Sequence, residues 1–320
     1  MLPDYLEDLG RGVYAIDTGF QRRNYDAAYL LVHEGRAAFI DNGTATALPR
    51  HLGALQALGL AREAVEFVIP THVHLDHAGC SGALMRELPA ATLIVHPRGA
   101  RHLIDPTALV ESALAVYGAE ELARSYGTIV GVDAARVRTT HDGMDLMLGS
   151  RRLHFIDTPG HARHHHCVWD EASRAWFSGD TFGIAYPEFE TPERGRWIIP
   201  PVVPTQFEPG PWRDSIARLV SFDPDVCFLT HFGPVREPRR MARHLLRLID
   251  ALATLGEALR DAPERHLALK REITALYSAQ LREHGLEPTP DRLELLAGDI
   301  ELNAQGLAVW LDRLARKERA

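Results

Sequence analysis

Four side chains that commonly bind metal ions lie within six residues near position 75. His72, His74, Asp76 and His77 directly follow an apolar run at 66–70 that predicts a buried strand. In an extended segment, residues two positions apart point to the same side, so His72 and His74 can converge on one ion. Asp76 and His77 follow as the chain turns toward a helix predicted from residue 81, where they can reach a second ion. Imidazole and carboxylate groups suit zinc, manganese or iron better than metals that prefer thiolates.

Three later apolar runs also end in a residue that can bind a metal ion. His161 follows the run at 153–157, Asp180 follows the run at 175–178, and His231 follows the run at 226–229. Taken alone, His231 is more simply interpreted as a hydrogen-bonded residue. Ordinary hydrogen bonding does not explain why four polar residues crowd one strand end. Strand ends in a rigid sheet can hold ligands from distant parts of the chain in the fixed positions that a catalytic site needs. Seven of them suffice for two metals with positions left open for water.

These segments, in this order, resemble the metallo-β-lactamase superfamily over residues 12–234. The matching segments are 71–79, 158–161, 178–181 and 230–231. The resemblance implies an α/β (α+β) fold, an αββα sandwich of two mixed β-sheets flanked by helices.

The resemblance also implies how the ligands are divided between two divalent metal ions. By matching position, His72, His74 and His161 would hold the first ion. Asp76, His77 and His231 would hold the second, and Asp180 would bridge both. Zinc is the expected metal, with manganese or iron as alternatives.

The expected activity is that of a dinuclear metal-dependent hydrolase. Two ions about 3.5 to 4 Å apart can lower the pKa of a shared water, so a metal-bridging hydroxide is the expected nucleophile. Asp76 would orient this water or take its proton. A glyoxalase II-like or lactonase-like branch is favoured, with a small ester, thioester or lactone as substrate. Leu75 stands where the tRNA-processing branch typically has glycine, and the net charge of −8 disfavours a polyanionic substrate.

Three other functions stay open. Persulfide dioxygenases share this fold with a single iron, but the second-metal ligands His77 and His231 argue against such an oxygenase. A phosphodiesterase would use a similar ligand set. A regulatory binding protein with a retained metal site is weakened by the intact set of ligands.

The elements that must position these residues alternate as short strands and helices up to about residue 230. Strands are predicted at 12–17, 27–33, 36–41, 66–70, 92–96, 144–148, 152–157, 166–170, 174–178 and 225–230. Helices are predicted at 45–58, 81–88, 97–103, 107–125 and 211–221.

The character of the sequence changes after Pro238. Apolar residues then recur at three- and four-residue steps, which predicts a helix, and further helices are expected at 263–284 and within 290–316. We therefore expect a catalytic domain at 1–236 and a helical extension at 237–320 that packs on it. Tyr277 and Trp310 are interpreted as core residues, with a pocket cap or a dimer face as the alternative.

Two other groups of residues have two interpretations each. His164, His165 and His166 follow a predicted ligand, and a supporting or pocket role is favoured over a third ion. The aromatic and aliphatic residues of the insertion at 182–207 predict either a packed loop or an apolar wall of the substrate pocket.

Composition narrows the class of protein. The chain is 46% hydrophobic and 24% charged, as expected for an ordinary globular protein, and no window of about 18 apolar residues predicts a membrane span. Three separate cysteines and an acidic start without a secretory pattern favour a cytoplasmic location. The expected partner is a small-molecule substrate, without nucleic acid or membrane, and a homodimer is left open.

Overall fold

Two compact units make up the computed structural model, which describes residues 1–204 and 206–319. The first unit comprises Met1–Asp157, His164–Gly179 and Pro224–Pro234. The second comprises Thr158–Arg163, Asp180–Asp223 and Val235–Ala320. The expected domains at 1–236 and 237–320 stay a prediction.

Seven strands form the first sheet, in chain order from edge to edge. They are β1 (Leu6–Gly10), β2 (Val13–Asp17), β3 (Ala27–His33), β4 (Arg36–Ile40), β5 (Val65–Ile69), β6 (Thr92–Val95) and β7 (Val137–Thr139). Strands β1 to β4 pair antiparallel, whereas β4 to β7 pair parallel. The sheet is therefore mixed, and the carboxyl ends of β4 and β5 lie at the same edge.

Six strands form the second sheet, in the order β13-β12-β11-β10-β9-β8. They are β8 (Asp145–Leu148), β9 (Arg151–Asp157), β10 (His166–Asp170), β11 (Ala175–Gly179), β12 (Val226–Leu229) and β13 (Gly233–Arg236). Pairing is antiparallel from β8 to β11 and parallel between β11 and β12. This sheet is mixed as well, as the expected fold requires.

Aromatic residues join the two sheets inside the first unit. The ring of Tyr29 on β3 lies 5.2 Å from Phe177 on β11 and 5.4 Å from Phe228 on β12, centroid to centroid. The Tyr29 hydroxyl donates to the carbonyl of Leu229, so its buried polar atom is paired. The sheets thus pack face to face as a sandwich.

The first unit contains six helices among its described residues. They are α1 (Leu48–Ala57), α2 (Leu75–Ala78), α3 (Ser81–Glu87), α4 (Pro97–Ile104), α5 (Thr107–Tyr117) and α6 (Ala119–Glu121). Apolar residues of α1 and α3, such as Leu55 and Leu84, join the core cluster that includes Leu30 and Phe39 of the first sheet. These helices therefore flank that sheet.

The prediction of one helix over 107–125 is wrong. Gly118 has φ +79°, outside the helical region, and it separates α5 from α6 and from the π-helical turn Leu122–Tyr126. Glycine adopts this conformation without a Cβ clash, so it ends the helix there. Strands β1 and β7 were not predicted because most of their residues are exposed or half-buried, and β13 was not predicted because its four residues begin with glycine and proline.

Helices dominate the second unit. They are α7 (Pro209–Ser221), α8 (Pro238–Ala258), α9 (Arg265–Glu283), α10 (Pro290–Leu295) and α11 (Ala297–Glu318). The apolar stripe predicted after Pro238 is confirmed, since Met241, Leu245 and Leu252 of α8 are buried. None of the helices in the described part of the chain is both long and apolar enough to cross a membrane.

The apolar residues of the insertion at 182–207 lie in the core of the second unit. Trp197 packs edge-on against Tyr277 of α9 at 5.7 Å, and Phe207 packs against Trp310 of α11 at 5.3 Å, measured between ring centroids. The Tyr277 hydroxyl accepts a hydrogen bond from Asn303 Nδ2 at 2.6 Å. This burial supports the packing interpretation of these residues.

Candidate metal centre

Three predicted ligands converge in the first unit. Asp76 and His77 lie on the short helix α2, which directly follows β5, and His231 follows the end of β12. Asp76 Oδ2 lies 3.4 Å from His231 Nε2 and 3.9 Å from His77 Nε2. One ligand atom from each residue lies within 4.8 Å of the others, which is close enough to surround one cation.

Both histidines of this group are fixed in one orientation by their other ring nitrogen. His77 Nδ1 donates to the Asp41 carboxylate at 2.9 Å, and His231 Nδ1 donates to the Tyr25 carbonyl at 2.9 Å. Because the proton then resides on Nδ1, each Nε2 carries a lone pair. Metal-binding histidines typically have such a partner behind them.

Asp41 is a supporting residue that the sequence interpretation missed. It follows β4, is 1% exposed, and its Oδ1 accepts from the Thr71 backbone N–H at 2.6 Å. Its Oδ2 accepts from the Thr71 hydroxyl at 3.0 Å, the Thr230 hydroxyl at 2.6 Å and His77 Nδ1. One carboxylate thus ties together the chain segments that follow β4, β5 and β12.

His72 and His74 form a second pair of converging nitrogens. His72 Nε2 lies 2.8 Å from His74 Nδ1. The Thr71 hydroxyl uses its proton on Asp41, so at 3.2 Å it accepts from His72 Nδ1. His72 Nε2 is then left as a lone pair facing His74, and two imidazole nitrogens this close share a proton or bind a cation.

The remaining two predicted ligands lie together in the second unit. His161 Nε2 is 3.3 Å from Asp180 Oδ2, and both side chains are buried. His161 Nδ1 donates to the Pro201 carbonyl at 2.9 Å, which again leaves Nε2 as the lone pair. His161 therefore has the same tautomer as His77 and His231, and like them it donates from Nδ1 to an oxygen acceptor.

A buried carboxyl group, Asp26, lies behind the Asp76, His77 and His231 group. Burial raises the pKa of Asp26 to about 7, although the nearby His231 and His77 lower it. Its Oδ2 accepts from the Thr18 hydroxyl at 2.6 Å. Like Asp41, it gave no signal in the sequence, since it is a single acidic residue outside any cluster.

His164 and His165, which follow His161 in the chain, lie beside the predicted ligands His72 and His74. The His165 ring stacks on His72 at 4.7 Å, and the His164 ring meets His74 edge-on at 5.4 Å. His166 is buried on β10 and its pKa is lowered to about 3, chiefly by burial. A supporting or pocket role for His165 stays a prediction.

Comparison with known proteins gives the family. A family model described as the metallo-beta-lactamase superfamily matches residues 22–231. The chain belongs to the metallo-β-lactamase superfamily. The matched range includes all seven predicted metal ligands.

Individual relatives agree with this assignment. The metallo-beta-lactamase fold-containing protein ST1585 of Sulfurisphaera tokodaii is 26% identical over 276 residues, which are 82% of this chain and 97% of the relative. The crystal structure of ST1585 aligns over 93% of this chain and 98% of its own, with 24% identity and a TM-score of 0.64.

Two further solved structures have the same fold. The metallo-beta-lactamase family protein TTHA1429 of Thermus thermophilus covers 96% of this chain and 95% of its own, at 22% identity and a TM-score of 0.65. The alignment with a metallo-beta-lactamase of Cronobacter sakazakii covers 82% of this chain and 100% of that protein, at 18% identity and a TM-score of 0.56.

The superfamily and the donor cluster are together consistent with a metal-dependent hydrolase. The αββα sandwich with additional C-terminal helices, expected from the sequence, is confirmed. Assignment to a glyoxalase II-like or lactonase-like branch is not confirmed and stays a prediction.

Proposed function

We propose that this chain is a dinuclear metal-dependent hydrolase of a small carboxylic ester, thioester or lactone. The observation that carries the proposal is the convergence of Asp76, His77 and His231, in which each histidine has its Nδ1–H bonded to a buried oxygen. A purely structural cluster would have no need to bring two imidazole Nε2 atoms within 4 Å of one carboxylate oxygen.

The chemistry of the donors fits two divalent ions. We propose His72, His74 and His161 for one ion, Asp76, His77 and His231 for the other, and Asp180 as the bridge. Five imidazoles and two carboxylates are the ligand types that zinc, manganese and iron accept, and no cysteine is needed. When bound, the ions would lower the pKa of a water and polarise the carbonyl oxygen of the substrate.

Asp76 is the proposed catalytic residue among these ligands. Its side chain is 27% exposed, whereas His77 is fully buried and His231 is 5% exposed. Asp76 is therefore the group of the three that an entering water can reach most readily. Its carboxylate would orient that water and take up its proton as the carbonyl is attacked.

An apolar cluster beside the ligands supports a substrate with an apolar acyl group. Leu75 lies between two predicted ligands in the chain and belongs to a buried cluster with Phe20, Leu122 and Tyr126. Tyr25 packs against this cluster and meets the His231 ring edge-on at 5.5 Å. Of the residues named, the half-buried Tyr25 is the one that a substrate can reach, and its ring suits a hydrocarbon chain better than a phosphodiester.

A substrate panel with the metal-loaded protein tests the proposal. The panel contains short-chain p-nitrophenyl esters, acyl thioesters, lactones and bis-p-nitrophenyl phosphate, and oxygen uptake is followed in parallel. Asp76→Ala is expected to lower kcat/KM by at least about 100-fold, because it removes a ligand and the proton acceptor. Asp250→Ala is the matched control, since Asp250 pairs with Arg213 on the surface and is 55% exposed.

Three outcomes would contradict the proposal. They are wild-type turnover by Asp76→Ala, hydrolysis confined to the phosphodiester, and oxygen uptake without hydrolysis. The first removes Asp76 from the mechanism, the second changes the substrate class, and the third indicates an oxygenase.

A further inference from the structure

A cavity of about 730 Å³ lies wholly within the second unit. Its lining comes from residues 192–197, from the first half of α8 and from the end of α9. The volume falls within the range of about 300 to 1,000 Å³ that is typical of small-molecule sites. None of its lining residues belongs to the predicted metal ligands.

The lining is rich in arginine, although the whole chain has a net charge of −8. Five arginines line the cavity, namely Arg194, Arg196, Arg240, Arg243 and Arg247. Three glutamates also line it, which leaves a formal surplus of two positive charges. A local surplus of this kind in an acidic protein attracts anions to one place on its surface.

Three of these guanidinium groups are available to a ligand. Arg240 pairs with Glu237 at 2.9 Å, and Arg196 pairs with Glu190 at 2.7 Å. Among residues 1–204 and 206–319, Arg194, Arg243 and Arg247 form no ion pair. Arg243 and Arg247 are four residues apart on α8, so they project from the same helix face.

Two ring nitrogens in the cavity wall have no hydrogen-bond partner within the described part of the chain. They are Nε1 of Trp197, whose side chain is 2% exposed, and Nε2 of His244. His244 Nδ1 accepts from Arg247 Nη2 at 3.3 Å, so the proton of the neutral ring resides on Nε2. The ring is neutral because burial and neighbouring Arg247 lower the pKa of His244 to about 4. Both nitrogens are therefore donors, and a buried donor without an acceptor is costly.

We propose that this cavity binds a small molecule bearing a phosphate monoester. A phosphate monoester carries a charge of about −1.5 to −2 near pH 7, which matches the surplus of two positive charges, whereas a monocarboxylate carries only −1. Its three terminal oxygens accept bidentate hydrogen bonds from guanidinium groups. Trp197 and His244 line the same cavity, so a bound phosphate would change the surroundings of both rings. This site is independent of the proposed hydrolase function.

Nuclear magnetic resonance of the indole groups tests the site directly. The chain has five tryptophans, so a metal-loaded protein with ¹⁵N-labelled tryptophan gives five indole signals, and Trp197→Phe identifies the one of interest. Titration with phenyl phosphate is expected to shift the Trp197 signal in a saturable way. Trp212 reports on the metal centre, since its ring lies 5.8 Å from His161, centroid to centroid.

Matched variants and a matched carboxylate complete the experiment. Arg243→Gln is expected to raise the Kd for phenyl phosphate at least about tenfold, because it removes a charge-assisted hydrogen bond. Arg239→Gln is the control, since Arg239 lies on the same helix but pairs with Asp223 on the exposed surface. Phenylacetate should bind at least tenfold more weakly than phenyl phosphate.

Three results would overturn the proposal. The first is a phenyl phosphate response confined to Trp212, which would place the anion at the metal centre only. The second is an unchanged Kd in Arg243→Gln, and the third is equal affinity for phenylacetate. If the metal-loaded protein hydrolysed no substrate of the panel, the proposed hydrolase function would fail but the phosphate site would still be tested by these titrations.

Discussion

Replacing Asp41 by asparagine should weaken metal binding by forcing the wrong tautomer on His77. The asparagine carbonyl can keep the bond from the Thr71 backbone N–H, which Asp41 Oδ1 accepts. The amide N–H₂ then faces the Thr71 and Thr230 hydroxyls and His77 Nδ1, all of which donate to Oδ2 in the native protein. The hydroxyls can rotate and accept instead, but His77 can accept only by moving its proton from Nδ1 to Nε2.

The size of the effect follows from these contacts. Protonated Nε2 cannot bind a cation, so we expect metal affinity to fall about 10- to 100-fold, as for other residues that orient a ligand. Hydrogen bonds to a charged group contribute about 1.5 to 3 kcal/mol each, and part of them is regained as neutral bonds. The free energy of unfolding of the metal-free protein should therefore fall by about 2 to 4 kcal/mol.

Comparison with Asp41→Ala distinguishes the effect of the His77 tautomer on metal affinity from general destabilisation of the fold. Alanine loses all four hydrogen bonds, and at φ +51° it tolerates the left-handed backbone less well than aspartate or asparagine, which adds about 1 kcal/mol. It should be less stable than Asp41→Asn, yet His77 keeps a free choice of tautomer. Metal affinity should therefore fall less in Asp41→Ala than in Asp41→Asn.

The assay is competition with a chromophoric chelator for metal affinity, alongside urea denaturation of the metal-free proteins. Asp225→Asn is the control, because Asp225 is a surface residue that is 57% exposed and pairs with Arg174. If the more destabilised alanine variant also binds metal more weakly than the asparagine variant, the tautomer argument is refuted.

Two further predictions concern stability. His51 is fully buried, and burial lowers its pKa from 6.5 to about 4. The neutral ring therefore contributes its full share of the folding stability above pH 6.5, and this share is lost as pH falls toward 4. Urea denaturation of the metal-free protein should show that His51→Gln, which does not titrate, loses about 2 kcal/mol less than the native protein between pH 7.5 and 5; equal losses would contradict this. Gly179→Ala should cost more than about 3 kcal/mol, because its Cβ would lie 2.4 Å from Thr71 Oγ1 and 2.7 Å from His165 Nε2 at φ +46°. Gly285→Ala, with φ +88° and open space around it, should cost only about 1 to 2 kcal/mol in the same denaturation experiment, and equal costs would contradict the steric argument.

Strands near the centres of the two sheets were predictable because they are apolar and bounded by polar residues. Strands β3 and β10 have the predicted bounds, and the predicted ligands His72 and His231 follow β5 and β12 as expected. The layered arrangement came from the family resemblance, since periodicity alone does not determine how sheets pack. Edge strands such as β7 have too few buried residues to give a signal.

The supports of the ligands could not be predicted from the sequence. Asp41 is one acidic residue at a strand end, and nothing local distinguishes it from a solvated residue. Tyr25 and Pro201 support His231 and His161 through backbone carbonyls, which carry no signature in the residue type. These contacts join residues 206 and 40 positions apart, so only the folded chain brings them together.

The metal content of the purified protein tests the central claim most directly. Elemental analysis by mass spectrometry, combined with the protein concentration, gives the identity and number of ions per chain. For a dinuclear hydrolase we expect two divalent ions per chain. The number should fall to one or fewer in Asp76→Ala and stay at two in Asp250→Ala. A single iron per chain, or no metal retained after loading with zinc, manganese or iron, would contradict the account.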